Sequence, residues 1–223
     1  MTKTDISLNV FAKAPIPGSA KTRLIPALGA EDAAELHARL VHHTLQNAIA
    51  ANIGPVTLWC APDSQHPFFA ECVKKYGVTV QTQQGDDLGQ RMAHALKNSL
   101  HACKHALLIG TDCPWLSPRT LQTAASVVVE QGGALFIPAE DGGYVLVGAT
   151  DCVPPIFDQV HWGSDKVMQQ TRMHLRQHGL NWREMPSMAD IDRPADLDRL
   201  QIWFPDLLNG LLNGMPTKNT ITL

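Results

Sequence analysis

The sequence predicts one α/β domain built on a mostly parallel sheet with helices on both faces. Three observations predict it. Apolar stretches of strand length alternate along the chain with stretches of helical period, the pattern of repeated β-α units. Residues 106–109 read Ala-Leu-Leu-Ile with no polar position, as expected of a central parallel strand covered on both faces. The chain has 223 residues, of which 44% are hydrophobic, which suits one domain with a sizeable core.

Ile6–Ala12 is the first strand, expected to lie centrally in the sheet. Residues 31–50 form a helix, with Ala33, Leu36, Leu40, Val41, Leu45 and Ile49 at helical spacing. Val56–Cys60 is a strand, Pro67–Tyr76 a helix and Val78–Thr82 a strand. A helix over 88–103 carries the stripe Leu88, Met92, Ala95, Leu96 and Leu100. The helix after the 106–109 strand has clear punctuation: Ser117 as N-cap, Pro118 at the first helical position and Gly132 after the end. Ala134–Pro138 and Tyr144–Gly148 are strands joined by a turn, for which Asp141-Gly142 signals type I′. Ser164–His178 is a capped helix stopped by Gly179. A short strand within residues 180–186 and a last helix from Pro194 to Phe204 complete the domain. The domain is expected over 1–206, with a tail at 207–223.

Net charge is −3, so nothing draws the whole molecule to nucleic acid or an anionic membrane. No apolar run approaches the roughly 18–20 residues of a membrane span, and the N-terminal residues lack a signal-peptide core. A cytoplasmic protein is expected. Cys60, Cys72, Cys103, Cys113 and Cys152 are scattered, with no C-x-x-C pair. Buried thiols fit that set better than disulfides or zinc. The ten histidines show no metalloprotease-like spacing, and His42 and His43 are adjacent on a helix and point in different directions.

Ligands of such sheets bind beyond the carboxyl ends of the strands, and several unusual loops lie there. The stretch KAPIPGSAKTRL places Lys13, Lys21 and Arg23 within eleven residues around Gly18. Backbone amides and cations there suit a phosphate, although an exposed basic loop is the simpler reading. Walker A is excluded, because Ala20 stands where that motif has glycine. In LLIGTDCPWLSP, Asp112 follows an apolar strand and suits Mg2+ held partly by phosphate, or it caps a turn. In PAEDGGYVLVG the turn accounts for the glycines but not for Glu140 or Tyr144. In MADIDRPADL, Asp192 either caps the last helix or adds a second metal carboxylate. Gly85 and Gly89 flank a helix start that offers an anion or base contact, or a plain loop-to-helix junction.

Taken in this order, the stretches at 11–24, 88–92, 108–118, 138–148 and 190–197 resemble the bacterial DUF2064 family of GT-A-type proteins described as glycosyltransferases. More distantly the layout resembles nucleotidyltransferases of the nucleotide-diphospho-sugar transferase superfamily. The resemblance spans roughly residues 6–200. It implies a Rossmann-like GT-A domain with a mixed, mainly parallel sheet and a nucleotide bound at the first loop. Lys13, Gly18, Lys21 and Arg23 would face the donor's phosphates, with Gly85, Leu88 and Gly89 also on the nucleotide. Asp112 would bind Mg2+ or Mn2+, with Asp192 as the second ligand and Asp190 as its alternative. Glu140, Asp141, Gly142, Gly143, Tyr144, Trp162 and Asp165 would lie beside the acceptor, and Asp112, Asp141 and Lys21 would carry the catalysis. Trp162-Gly163-Ser164-Asp165 stands where the family pattern has W-S-T-D, and Arg193 replaces a threonine. The implied activity is glycosyl transfer from a nucleotide sugar to a small acceptor. Nucleotidyl transfer and a non-catalytic nucleotide-binding module are the alternatives. A second copy of the chain is a compatible partner.

Overall fold

The computed structural model describes residues 4–150 and 155–211. Cys152 and the expected tail beyond residue 211 lie outside the described residues. Strand β1 (Thr4–Lys13) is followed by a 3-10 turn at Thr22–Leu24, a short helix α1 (Ile25–Leu28) and the long helix α2 (Ala30–Ala51). Then come β2 (Val56–Ala61), α3 (Pro67–Tyr76), β3 (Thr79–Thr82), α4 (Leu88–Ala102), β4 (Cys103–Ile109) and α5 (Pro118–Gln131). The hairpin β5 (Ala134–Pro138) and β6 (Tyr144–Thr150) precedes α6 (Val167–Gln177), β7 (Trp182–Glu184), α7 (Asp196–Trp203) and α8 (Pro205–Leu208).

These strands form a seven-stranded sheet in the order β3-β2-β1-β4-β6-β5-β7. β6 runs antiparallel to both of its neighbours, and the remaining pairs are parallel. The sheet is therefore mixed and mainly parallel, as expected. β1 is interior, and the middle place belongs to β4, whose partner on one side is the antiparallel β6. An apolar strand needs cover on both faces, and either pairing direction satisfies that. From β1 the chain runs outward through β2 and β3, then returns to place β4 on the other side of β1. The strand order thus reverses between β1 and β4, and the loops leaving those two strands define the crevice.

Burial follows the strand period of two. Leu8, Val10 and Ala12 of β1 face α2 and α5, with Leu45, Leu121 and Ala124 in the same cluster. Phe11 faces the other side, together with Trp59, Met92, Leu96 and Phe136. A third cluster joins Leu24, Leu36, Leu40, Ile191, Leu197, Leu208 and Leu211. Arg39 on α2 donates to the carbonyls of Leu207 and Asn209 at 3.2 and 2.7 Å. The packed domain therefore continues through residue 211 and does not end at 206. Leu88 and Ile49, placed on apolar stripes by spacing, are exposed because each stands at a helix end.

Several local expectations are corrected. Ser117 caps α5 as expected, accepting from Thr120 N. Ser164 does not cap α6, which starts three residues later without a side-chain cap. Its hydroxyl donates to His161 O at 2.7 Å instead. The β5–β6 turn is not type I′, which needs two positive φ values, because only Gly142 has positive φ. Gly142 N donates to Ala139 O and Ala139 N to Gly143 O, a three-residue turn with glycine in the bulge position. Asp192 does not cap the last helix. Asp196 Oδ2 accepts from the backbone amides of Asp192 and Arg193, and Pro194 lies ahead of α7.

One buried polar group ties the first strand to its surroundings. Asn9 is fully buried, donates to Leu107 O at 3.0 Å, and accepts from Trp59 Nε1 and Ser99 Oγ, both at 2.8 Å. Asn9→Leu leaves the buried Trp59 N–H without its acceptor. Each orphaned group costs about 1–3 kcal/mol, so urea titration should show a lower midpoint with unchanged slope. An unaltered midpoint would show that the network adds nothing.

Candidate active site

Three segments meet at the reversal between β1 and β4. β1 delivers Lys13, and the following loop turns back on itself at Gly18 (φ +79°). At Lys21 the backbone adopts the left-handed region, φ 47° and ψ 44°, which is uncommon for a lysine and typical of functional positions that surrounding contacts over-determine. This turn sends the Lys21 side chain inward until it is 3% exposed. Nζ lies 2.8 Å from Asp112 Oδ1 and also donates to Ile191 O. Ile191 in turn donates its backbone N–H to Asp112 O at 2.8 Å, and its side chain is fully buried. Through Ile191 the segment 190–192 is stitched to the end of β4, although about 80 positions separate them in the chain.

The carboxylates are thus brought to one edge. The Asp112 side chain is 48% exposed and opens onto the cleft. Burial raises its pKa, and the Lys21 ammonium with the nearby His37 more than reverses this, so it lies below the ordinary value. The Asp190 carboxyl is pushed up to about 6 by burial and by the negative charges of Asp141 and Asp112. It belongs to an anionic cluster that Lys21 neutralises only in part. Asp192 is paired with Arg23, and Glu140 with Arg199 at 2.8 Å. Among the described residues no three His, Cys, Asp or Glu side chains form a group able to hold a metal. Asp112 and Asp192 both line the cleft, and Mg2+ commonly takes one or two carboxylates and completes its shell with phosphate and water.

The cleft has a volume of about 490 Å³, within the range of small-ligand sites. Its charged end is formed by Lys13, Lys21, Arg23, His37, Asp112 and Asp192. Its other end is apolar: Phe11, Leu108 and Val147 from three adjacent strands, Tyr144, and Leu88 and Met92 from α4. A molecule filling it would place an anionic part against the loop and a flatter, less polar part over the sheet.

A family model described as "Uncharacterized protein conserved in bacteria (DUF2064)" matches residues 44–164. The chain belongs to the DUF2064 family. Among solved structures, this DUF2064 chain is similar to a proposed nucleotide-diphospho-sugar transferase from Desulfovibrio desulfuricans G20, with 31% identity, coverage of 87% of this chain and 85% of that one, and a TM-score of 0.79. It shares its fold with a nucleotidyl transferase from Methanothermobacter (14% identity, 92% and 98% coverage, TM-score 0.59). It also shares it with a 4-diphosphocytidyl-2C-methyl-D-erythritol synthase from Anaerococcus prevotii (10% identity, 91% and 99% coverage, TM-score 0.60). Curated proteins give no match. The neighbours are transferases of nucleotide sugars or of nucleotides, and no helix among the described residues is long and apolar enough to cross a membrane.

The other expected site residues of the DUF2064 chain divide between cleft and packing. Lys13 is exposed in the cleft with no carboxylate partner among the described residues, whereas Lys21 and Arg23 are already paired. Lys21 is therefore not the exposed basic residue that a solvated loop would carry. Asp141 is not among the residues lining the cleft; its Oδ1 accepts from Gly143 N at 3.0 Å within the β5–β6 turn. Gly89 does not face the cleft: a Cβ there would lie 2.6 Å from the Trp162 ring, so helix packing demands the glycine. Gly85, at φ +135°, closes against Gln90 and Arg91. Trp162 packs on Tyr144 and Phe157. Asp165 stands behind Gly142, where a side chain would strike its backbone at 2.1 Å. Of the acceptor set, Tyr144 alone lines the cleft itself.

His37 and Gln83 line the cleft and carry no motif in the sequence. His37 is buried on α2, with Nε2 3.0 Å from Lys13 O and no partner for Nδ1. Burial holds its pKa below the usual value, so the ring is neutral near pH 7. Its signal was its place in the stripe Ala33–His37–Val41, one polar residue among apolar ones. Gln83 directly follows β3 at the ligand edge, donating Nε2 to Trp59 O at 3.0 Å. The thiols behave as buried groups: burial pushes Cys60 and Cys113 up to about 12 and Cys72 to about 11. Cys113 beside Asp112 is thus no nucleophile at neutral pH.

The two ion pairs of the loop should differ in weight. Arg23→Met removes an exposed pair and should change stability by no more than about 1 kcal/mol. Lys21→Met leaves Asp112 without its cation and Ile191 O without a donor, and should cost about 1–3 kcal/mol. Thermal and urea unfolding of both variants check the order, and equal losses would show that Lys21 is not built into the fold.

Proposed function

We propose that this protein transfers a glycosyl group from a nucleotide-diphospho-sugar to a small acceptor, in the cleft between the ends of β1 and β4. The observation that carries the reading is the meeting of Lys21 and Asp112 at that edge, where cations and carboxylates face one crevice. The family membership and the 31% identical neighbour support the same class.

Negative charge develops on the diphosphate as the bond between the anomeric carbon and the phosphate oxygen breaks. Exposed Lys13 would meet phosphate oxygens first, with Lys21 and Arg23 behind it; Gly18 does not line the cleft, and the amides of Ser19 and Ala20 already donate to Ile16 O. Asp112 and Asp190, with Asp192 beside Arg23, would hold Mg2+ or Mn2+, which when bound supplies further neutralisation of the leaving diphosphate. The attacking hydroxyl of the acceptor gives up its proton, and Asp141, in the turn before β6, is the group we assign to take it. His37, through Lys13 O, fixes the strand end that presents Lys13. Phe11 and Met92, both buried, give the far end of the cleft an apolar wall.

Nucleotidyl transfer would use the same cleft with a triphosphate. Two of the three loop cations already hold carboxylates, and Lys13 alone remains unpaired. Thermal unfolding against a panel of nucleotide sugars and nucleoside triphosphates, each with and without Mg2+, separates the readings. A specific ligand at a hundred times its Kd adds about 2.7 kcal/mol. The expected result is stabilisation by one or more nucleotide sugars, enhanced by Mg2+. Asp112→Asn should remove the enhancement. Release of a nucleoside diphosphate during turnover identifies glycosyl transfer, whereas release of pyrophosphate identifies nucleotidyl transfer and refutes the first reading.

A further inference from the structure

The ammonium of Lys21 stands where a metal ion would be expected. It is buried to 3% exposure, sits on Asp112 Oδ1 at 2.8 Å, and is held by a backbone in the left-handed region. In this arrangement the charge of the lysine is spent on a carboxylate and on Ile191 O. More than one acid stands near this ammonium: Asp190 lies within electrostatic reach of both Asp112 and Asp141. Lys21 therefore serves the ligand-free protein as a tethered counter-ion.

We propose that Lys21 occupies the Asp112 carboxylate until a phosphate arrives, so that divalent metal and phosphate load the cleft together and neither binds tightly alone. This rests on the metal- and nucleotide-using reading given above. An ammonium and a divalent cation cannot share Asp112 Oδ1 without an anion between them, because two like charges a few ångströms apart repel strongly even near a surface. A phosphate oxygen supplies that anion. It accepts from Nζ, the ammonium leaves Asp112, and the freed carboxylate faces the cleft beside Asp190. Lys13, exposed and unpaired, gives the phosphate its first contact. The coupling is reciprocal: whatever factor phosphate adds to metal affinity, metal adds to phosphate affinity. The left-handed turn at Lys21 keeps the side chain within reach of both partners, so only the side chain has to move.

Binding of Mn2+ alone, followed by paramagnetic resonance, tests this without a nucleotide. Lys21→Gln keeps an N–H for Ile191 O and removes the charge. It should bind Mn2+ about ten- to a hundredfold more tightly than the parent, and adding Asp112→Asn should abolish the gain. The parent chain supplies its own arm. Mn2+ alone should bind it no better than it binds Asp112→Asn, and inorganic pyrophosphate should raise Mn2+ retention only in the chain with Asp112. Lys21→Gln with unaltered Mn2+ affinity overturns the proposal. So does a tight Mn2+ site in the parent that Asp112→Asn destroys, since metal would then enter with the ammonium in place. Because the glutamine variant is read with metal alone, tight binding there stands even if the donor is not a nucleotide sugar. A parent that responds to no nucleotide sugar would overturn the functional reading alone.

Discussion

A buried ammonium between a carboxylate and a backbone carbonyl organises this end of the molecule. Lys21 comes from the loop after β1, Asp112 from the end of β4, and Ile191 from a segment that joins neither strand. A charge taken out of water needs full compensation, and here the compensation spans 170 positions of the chain. Once Lys21 is in place, Ile191 is fixed, its side chain fills the cluster under α2, and Asp192 is carried to the crevice. The left-handed backbone at Lys21 is the local cost of this arrangement. A solvated lysine would have no reason to adopt it.

The same interaction sets the electrostatics of the cleft. Lysines and arginines that look in the sequence like an open phosphate cradle are partly consumed by internal pairs, Lys21 with Asp112 and Arg23 with Asp192. What remains to meet a ligand is Lys13 and a carboxylate group short of positive charge, since the amides of Ser19 and Ala20 already donate to Ile16 O. A site so divided suits an anion and a cation arriving together better than either alone. Next to it the floor of Phe11, Leu108 and Val147 provides a dry surface on which electrostatic contacts at the charged end are worth more than in water.

Much of this was legible in the sequence, because the signals were local. The β-α alternation gave the layers, and Ser117, Pro118 and Gly132 marked the ends of α5 to the residue. Asp112 after an apolar strand, and cations after another, placed the crevice. What stayed hidden depended on distant partners. Nothing near Lys21 in the chain announces that its side chain turns inward. The last helix has no side-chain cap: Asp192 is held by Arg23, and the Asp196 carboxylate reaches back to the amides of Asp192 and Arg193 ahead of the helix. Gly89 and Trp162 belong to one packing contact between α4 and the segment before α6, a role that spacing in the chain does not distinguish from a ligand contact. His37 was lost because a single histidine on an apolar stripe has no spacing of its own.

The most direct test of the account is anomalous diffraction from crystals grown with a nucleotide sugar and Mn2+. The account places the manganese peak against the Asp112 carboxylate and a phosphate oxygen of the ligand, with the nucleotide in the cleft beside Lys13. A nucleotide seated in the second groove, between α2 and α8 and lined by Arg39, His43 and Phe204, or a manganese peak remote from Asp112, would contradict it.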